Sequence, residues 1–230
     1  MSVPRALLLD ALGTLVELEP PVAPLRRELR ERFGVELGER DAAVAVRAEI
    51  SFYRANHDEA RDAAGLARLR RRAAEALRDA LPPELRELPL APLTEALLAA
   101  LRFRPFPEVP GLLAAAGERG IRRVVVSNWD VSLHGVLEQT GLAPLLDGVV
   151  TSAELGSAKP APAIFARGLE LAGVDPAAAL HVGDSLAEDV AGARAAGIAA
   201  LLLVRDGAPA PAGVETIRSL RELPGLGVDG

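Results

Sequence analysis

Five short apolar runs, each too brief to be a buried helix, set the outline of what this chain can fold into. They occupy residues 6–9, 123–126, 148–151, 180–182 and 199–204. Runs of this length that do not alternate with polar residues read as strands buried on both faces, the pattern of a parallel sheet. Between the last four lie stretches with helical spacing, 132–139, 161–172 and 186–196. Each ends near a glycine (Gly141, Gly173, Gly197), the residue that most easily ends a helix in left-handed backbone. Strand and helix alternating in this way predict an α/β fold class, a parallel sheet with helices on both faces. Ligands of such sheets bind at the carboxyl ends of the strands.

The first run stands apart from the others. Most of the gap that follows it, about residues 21–101, is rich in Arg, Glu, Ala and Leu at helical spacing. Helices are expected over 23–33, 39–56, 63–81 and 93–101, with breaks at Gly34, near His57, at Pro82 and Pro83, and at Pro105 to Pro107. The chain is thus expected to divide into an α/β core of residues 1–16 and 102–230 and an inserted helical domain of residues 17–101. The charge runs of the insertion read as solvated faces. The tail after Asp206 is rich in Pro and Gly, and no element is assigned to it.

Composition narrows the classes of function. Half of the 230 residues are hydrophobic but only 3% are aromatic, so the core must be built from Leu, Val and Ala. A formal net charge of −6 argues against nucleic acid as a partner, since phosphate backbones call for a basic face. There is no cysteine, hence no disulfide, thiolate metal site or cysteine nucleophile. The apolar start is too short for a signal peptide, and no stretch approaches the roughly 20 apolar residues that cross a bilayer. A cytoplasmic enzyme or binding protein acting on a small molecule is expected; nothing indicates an oligomeric state.

Polar residues cluster just past the runs. The first ends in Asp10-Ala11-Leu12-Gly13-Thr14, the second in Ser127-Asn128-Trp129-Asp130, and the fourth in Gly183-Asp184-Ser185 with Glu188 and Asp189 behind. Lys159 follows the third, before Pro160, and is the one lysine among 26 basic residues. Any single strand-end Asp is most often a turn or capping residue. In this order the four groups make a specific pattern.

The pattern resembles the haloacid dehalogenase superfamily of hydrolases. LLLDALGTL resembles its first motif, VVVSN its second, AKPAPAIF its third and VGDSLAEDVAGARAAG its fourth, together covering residues 1–16 and 105–205. The resemblance implies a Rossmann-like core, with the helical insertion in the place of the family's small cap domain. It implies Asp10 as nucleophile and Lys159 as a second catalytic group. It implies Mg²⁺ held by Asp10, Asp184 and the backbone carbonyl of Leu12, with Thr14, Ser127 and Asn128 toward the substrate. The chemistry of the residues agrees. A carboxylate can form a covalent intermediate that water then hydrolyses, and carboxylate oxygens suit Mg²⁺. A lysine places a compact ammonium that an arginine fork does not copy.

Leu12 departs from the phosphatases of the family, which usually carry there a second Asp that protonates the leaving oxygen. Haloacid dehalogenases proper also lack it, but use no metal and typically show Ser-Asn-type residues where this chain has Gly183-Asp184. A Mg²⁺-dependent phosphatase acting on a small phosphorylated metabolite is therefore the leading expectation. A 2-haloacid dehalogenase-like C–X hydrolase and a catalytically weak binding protein of the same fold are the rivals. Asp130, Glu188 and His57 are candidates for the missing acid–base group, though each residue type more often caps, solvates or lines a loop. Asp189 is set evenly between orienting Lys159 or a metal-bound water and a helix-surface role. His181, inside a strand, reads as a satisfied core histidine. Trp129 and Tyr53 read as packing near a cleft.

Overall fold

The computed structural model describes residues 3–205, 207–223 and 225. In chain order its elements are β1 (Ala6–Leu9) and β2 (Val16–Leu18), then α1 (Val22–Phe33), α2 (Glu39–Asn56), α3 (Ala63–Asp79) and α4 (Leu90–Ala100). After β3 (Phe103–Pro105) follow α5 (Val109–Glu118), β4 (Arg122–Ser127), α6 (Leu133–Gln139), β5 (Gly148–Thr151), α7 (Ser152–Leu155) and α8 (Pro162–Ala172). The chain closes with β6 (Ala179–Gly183), a π-helical turn (Leu186–Ala191), α9 (Gly192–Ala195), β7 (Ala199–Leu203) and β8 (Thr216–Ile217).

Contacts divide the chain into two compact units, residues 1–17 with 104–230 and residues 18–103. The first is a six-stranded sheet in the order β5-β4-β1-β6-β7-β8, with every neighbouring pair parallel. β1 lies in the middle because all four of its side chains are apolar and all are buried. Its Leu9 is level with Val125 of β4 and Val182 of β6. The chain runs outward on one side of β1 through β4 and β5, then returns to the other side with β6, and the strand ends around β1 form the point where ligands of such sheets bind. One core cluster packs Leu8, Val126, Ile164, Phe165, Val190 and Leu202.

The second unit is the helical one. α1 to α4 bury a core of Leu25, Leu29, Ala45, Leu77, Leu93 and Leu97. α1 ends at Gly34 in left-handed backbone, and Asp62 caps α3 by accepting the Gly65 N–H at 2.7 Å. β2 and β3, short strands that sequence pattern did not suggest, pair with each other where the chain passes between the units.

The structure differs from expectation in three further places. The Pro/Gly-rich tail is not featureless: β8 extends the sheet alongside β7, and Ser219 and Glu222 form a capping box. Two residues of strand carry no readable period. α5 was not expected, since its apolar residues run together rather than as a stripe. The segment read as one helix over 186–196 opens with a π turn. There the Ser185 carbonyl accepts from both Asp189 and Val190, and the Ser185 hydroxyl accepts the Glu188 N–H. π turns of this kind occur often at functional sites.

Glu49 of α2 is buried among these helices, only 3% exposed, and burial pushes its carboxyl up to about 7. The folded unit then keeps this proton to about pH 7, whereas the unfolded chain releases it near its ordinary value of 4.5. Stability from this group is complete below the unfolded value and falls as the pH rises toward 7. Glu49→Gln should abolish that fall and gain on the order of 3 kcal/mol over the wild type between acid and pH 8. Urea unfolding of both proteins at pH 5 and pH 8 checks it; an unchanged difference at the two pH values would contradict it.

Candidate active site

The strand order brings three segment ends to one edge. The Asp10 N–H donates to the Val182 carbonyl at 3.0 Å, extending the β1–β6 ladder by one residue. Ser127 closes β4, and its hydroxyl donates to Asp10 Oδ1 at 3.1 Å. Lys159 lies on the loop between α7 and α8 and is 4% exposed. Its ammonium donates to Asp10 Oδ1 and to Asp189 Oδ1, each at 2.6 Å.

Two features hold this ammonium in place. Asn128 grips the Lys159 backbone on both sides: its Oδ1 accepts the Lys159 N–H at 2.7 Å, and its Nδ2 donates to the Lys159 carbonyl at 3.0 Å. The same Nδ2 donates to Glu188 at 3.0 Å. Asn128 was expected to face substrate, but its amide is occupied with bracing the lysine loop. The second feature is a slot on β6. Residues 181 and 183 point to the same face of a strand, and Gly183 has no side chain, so the Asp189 carboxyl fills that space. A Cβ on Gly183 would fall 2.1 Å from Asp189 Cγ. Across the slot His181 Nε2 lies 2.9 Å from Asp189 Oδ1. A carboxylate only accepts, so Nε2 carries the proton. His181 is thus not the fully satisfied core residue expected: its Nδ1 is buried with no partner among the described residues, and its ring meets Phe165 edge-on at 5.2 Å. Asp189 Oδ2 accepts the Ser185 N–H at 2.9 Å. Asp189, set evenly in the sequence between orienting Lys159 or a metal-bound water and a helix-surface role, is buried and accepts from Lys159.

Asp184 completes the cluster. One oxygen from each of Asp10, Asp184 and Asp189 lies within 4.8 Å of the others. Gly13, at φ +79°, lets Asp184 approach, since a Cβ there would fall 2.2 Å from Asp184 Oδ2. Burial pushes the Asp184 carboxyl up to about 6, and the charges of Asp10 and Asp189 add to it. Burial also raises Asp10 above the usual carboxylate range, with the Lys159 charge opposing and that of Asp189 adding. Burial works against ionising Asp189, but the hydrogen bond from His181 and the charge of Lys159 outweigh it and hold the carboxyl well below its ordinary value. Burial likewise works against the Lys159 charge, and the two carboxylates overcome it and raise the ammonium. Three carboxylates therefore face one ammonium, with hard oxygen donors converging, a donor set that fits a divalent cation such as Mg²⁺.

The remaining candidates fall outside this network. Thr14 is fully buried, with Oγ1 unpartnered among the described residues. Leu12 is 38% exposed and bridges to Val16. Asp130 is fully buried in a turn that its side chain closes, Oδ1 accepting the Ser132 N–H two residues on at 2.6 Å. Trp129 packs in the same turn, its Nε1 donating to the Ser132 hydroxyl at 3.3 Å. His57 and Tyr53 belong to the helical unit, their rings 5.9 Å apart and tilted by 32°. Sequence reasoning missed the bracing role of Asn128 and the His181–Asp189 pair. The signal for the second was the His-x-Gly spacing, a bulky and an empty position on one face.

Residues 4–197 match the haloacid dehalogenase-like hydrolase family. The chain belongs to that family. Within it, the chain is 40% identical over 114 residues to haloacid dehalogenase-like hydrolase domain-containing protein 3 of Bos taurus, covering 50% of this chain and 45% of that protein. It is 37% identical over 135 residues to a phosphoserine phosphatase of Thermus thermophilus, covering 57% and 52%. The chain thus spans about half the length of the curated relatives it matches. A 2-haloacid dehalogenase of Pseudomonas syringae superposes at a TM-score of 0.63 with 26% identity, covering 96% of each chain. Both a phosphatase and a dehalogenase stand among the proteins it resembles. Among the described residues no helix is long and apolar enough to cross a membrane.

Gly183→Ala should drive a methyl group into the Asp189 carboxyl and break its contacts with Lys159 and His181. Overpacking of this kind costs about 1–3 kcal/mol, and the buried Asp189 would lose its pairing with Lys159 besides, the ammonium keeping Asp10 alone. Chemical denaturation of the purified variant measures the loss; a stability equal to wild type would mean that the slot is roomier than its geometry implies.

Proposed function

We propose that this chain is a Mg²⁺-dependent phosphatase acting on a small phosphorylated metabolite, with Asp10 as nucleophile. The observation that carries the reading is Asp184, whose carboxylate joins those of Asp10 and Asp189 within 4.8 Å, an arrangement that calls for a cation. The resemblance to phosphoserine phosphatase supports the same reaction class. The helical unit is proposed to select the substrate.

The residues divide the work as follows. An Asp10 carboxylate oxygen forms a bond to phosphorus while the ester P–O bond breaks, leaving an aspartyl phosphate and the alcohol or alkoxide. Water then breaks the acyl phosphate and restores Asp10. Lys159 faces the charge on the phosphoryl oxygens as a fixed, buried ammonium, held by Asp189 so that it cannot swing away. Ser127 donates its hydroxyl to Asp10 and keeps the carboxylate oriented, and that one proton would turn to a substrate oxygen only by leaving Asp10. Thr14 brings a buried hydroxyl with no partner of its own among the described residues. Asp10, Asp184 and the Leu12 carbonyl would hold Mg²⁺, with Asp189 close by. The ion would supply positive charge for the phosphoryl oxygens, the main requirement of phosphoryl transfer.

Leu12 favours a second reading. No acid stands two residues after the nucleophile, and a halide, unlike an alkoxide, leaves without a proton. The likeness to a 2-haloacid dehalogenase points the same way. The two readings separate on the metal: halide release without Mg²⁺ would favour C–X hydrolysis, and phosphate release that a chelator stops would favour the phosphatase.

Asp10→Asn should abolish turnover while leaving the melting temperature close to wild type, since the amide is nearly isosteric but does not attack. Activity retained in a mass-verified preparation of that variant would move the nucleophile elsewhere. Leu12 yields a sharper expectation. Wild-type rates should fall steeply from aryl to alkyl phosphates, because only the latter need a proton on leaving. Leu12→Asp should raise alkyl ester turnover by up to roughly 10²–10⁴-fold and leave aryl esters little changed. A flat leaving-group series in the wild type would mean that another group already transfers the proton.

A further inference from the structure

The loop after β1 carries the proposed nucleophile, the Leu12 carbonyl, Gly13 and Thr14, and must hold its shape within tenths of an ångström. Its backbone is held from outside by residues remote in sequence. Three consecutive carbonyls, those of Gly13, Thr14 and Leu15, point to such partners. The Leu15 carbonyl accepts the Phe106 N–H at 3.1 Å. The other two accept from one side chain: Arg205 Nε donates to the Gly13 carbonyl at 3.0 Å, and Nη2 to the Thr14 carbonyl at 2.8 Å. The third arm of the guanidinium, Nη1, donates to Glu108 Oε1 at 2.7 Å, and the group stacks over the Phe106 ring at 3.6 Å. Glu108 is 8% exposed and also receives the Ser219 hydroxyl at 3.4 Å. Burial works against the Glu108 charge, and the hydrogen bond and charge of Arg205 together with backbone N–H donors outweigh it and keep the carboxyl below its ordinary value.

We propose that Arg205 is a positioning residue for the active site, a clamp that fixes the Asp10 loop through the Gly13 and Thr14 carbonyls and ties it to the returning segment at Phe106 and Glu108. The proposal rests on the reading of Asp10 as nucleophile and Asp184 as cation ligand. Gly13 is the link between clamp and site, because it is the residue against which the Asp184 carboxylate lies with no room for a Cβ. A shift in the Gly13 peptide therefore changes the gap between Asp184 and Asp10. Only a planar fork can serve two carbonyls, a carboxylate and a ring face together. A lysine would keep the charge and reach at most part of the set.

The test compares wild type, Arg205→Met, Arg205→Lys and Glu108→Gln by three measurements. Hydrogen exchange of the peptide covering residues 10–16 should quicken in both Arg205 variants, and less in Glu108→Gln, while the β4 and β6 peptides keep their protection. The Mg²⁺ concentration for half-maximal activity should rise by about ten-fold or more, as loss of an outer support for a metal site typically does. The kcat should fall by about ten-fold or more with KM changing far less, since a displaced loop costs orientation rather than binding. Unchanged exchange in residues 10–16 would overturn the clamp whatever the activity does. Quickened exchange spread evenly over all strands, with Arg205→Lys as impaired in stability as Arg205→Met, would reduce Arg205 to a general stabiliser and overturn it too. Quickened exchange confined to the loop, in a protein that proves to need no Mg²⁺, would uphold the clamp and overturn the phosphatase reading instead.

Discussion

The ammonium of Lys159, shared between Asp10 and Asp189, is the interaction on which the rest of the site depends. Taking a charge out of water costs several kcal/mol, and such a cost is tolerated only where opposite charges and hydrogen bonds meet it with good geometry. Here two carboxylates meet it at 2.6 Å, and both also draw on other donors, Ser127 on Asp10, and His181 and Ser185 on Asp189. Removing Lys159 would leave two buried carboxylates without their shared cation, and removing either carboxylate would leave the ammonium with one partner in place of two. Asn128, which touches only the backbone of Lys159, belongs to the same device, because it fixes where the long side chain starts.

The electrostatics of this cluster follow from its makeup. Burial raises both Asp184 and Asp10, and the neighbouring carboxylates add to it, while the one ammonium only partly opposes the rise. Asp189, which holds both His181 and Lys159, is driven the other way. Gly13 leaves the room in which Asp184 can stand beside Asp10. The π turn of Leu186–Ala191 serves the same end: by spacing Asp189 five residues after Asp184 along a widened turn, it lets one carboxylate reach Lys159 while the other stays with Gly13.

The central position of β1 ties this chemistry to the fold. A strand of four buried apolar residues between β4 and β6 puts Asp10 beside the ends of both neighbours, so that no long loop is needed to bring Ser127 and Asp184 together. Rigid strand ends position groups more closely than mobile loops do. The loop that follows is held within itself by the Ala11 carbonyl, which accepts the Thr14, Leu15 and Val16 N–H groups, and the carbonyls of Gly13, Thr14 and Leu15 find their partners in Arg205 and Phe106, residues contributed after β7 and β3.

The amino-acid sequence by itself determined the five strands β1, β4, β5, β6 and β7, most of the longer helices and the identity of the polar residues at the strand ends. Those signals are local: an apolar run, a glycine at a helix end, an acid or lysine just past a strand. Asp10, Ser127, Lys159 and Asp184 were all legible in this way. Only the tertiary structure decided what Asn128, His181 and Arg205 do, because each acts through a partner at least eight and up to 192 residues away. An asparagine beside a serine looks like a substrate ligand until the fold turns it onto the lysine backbone. A histidine inside a strand looks like packing until Gly183 opens a slot for a carboxylate beside it. β8 was illegible for a related reason, since two residues have no period and pair only because β7 offers an open edge. Local pattern is written in the spacing of neighbours, whereas pairing across the sheet depends on which strands the hydrophobic core has already set side by side.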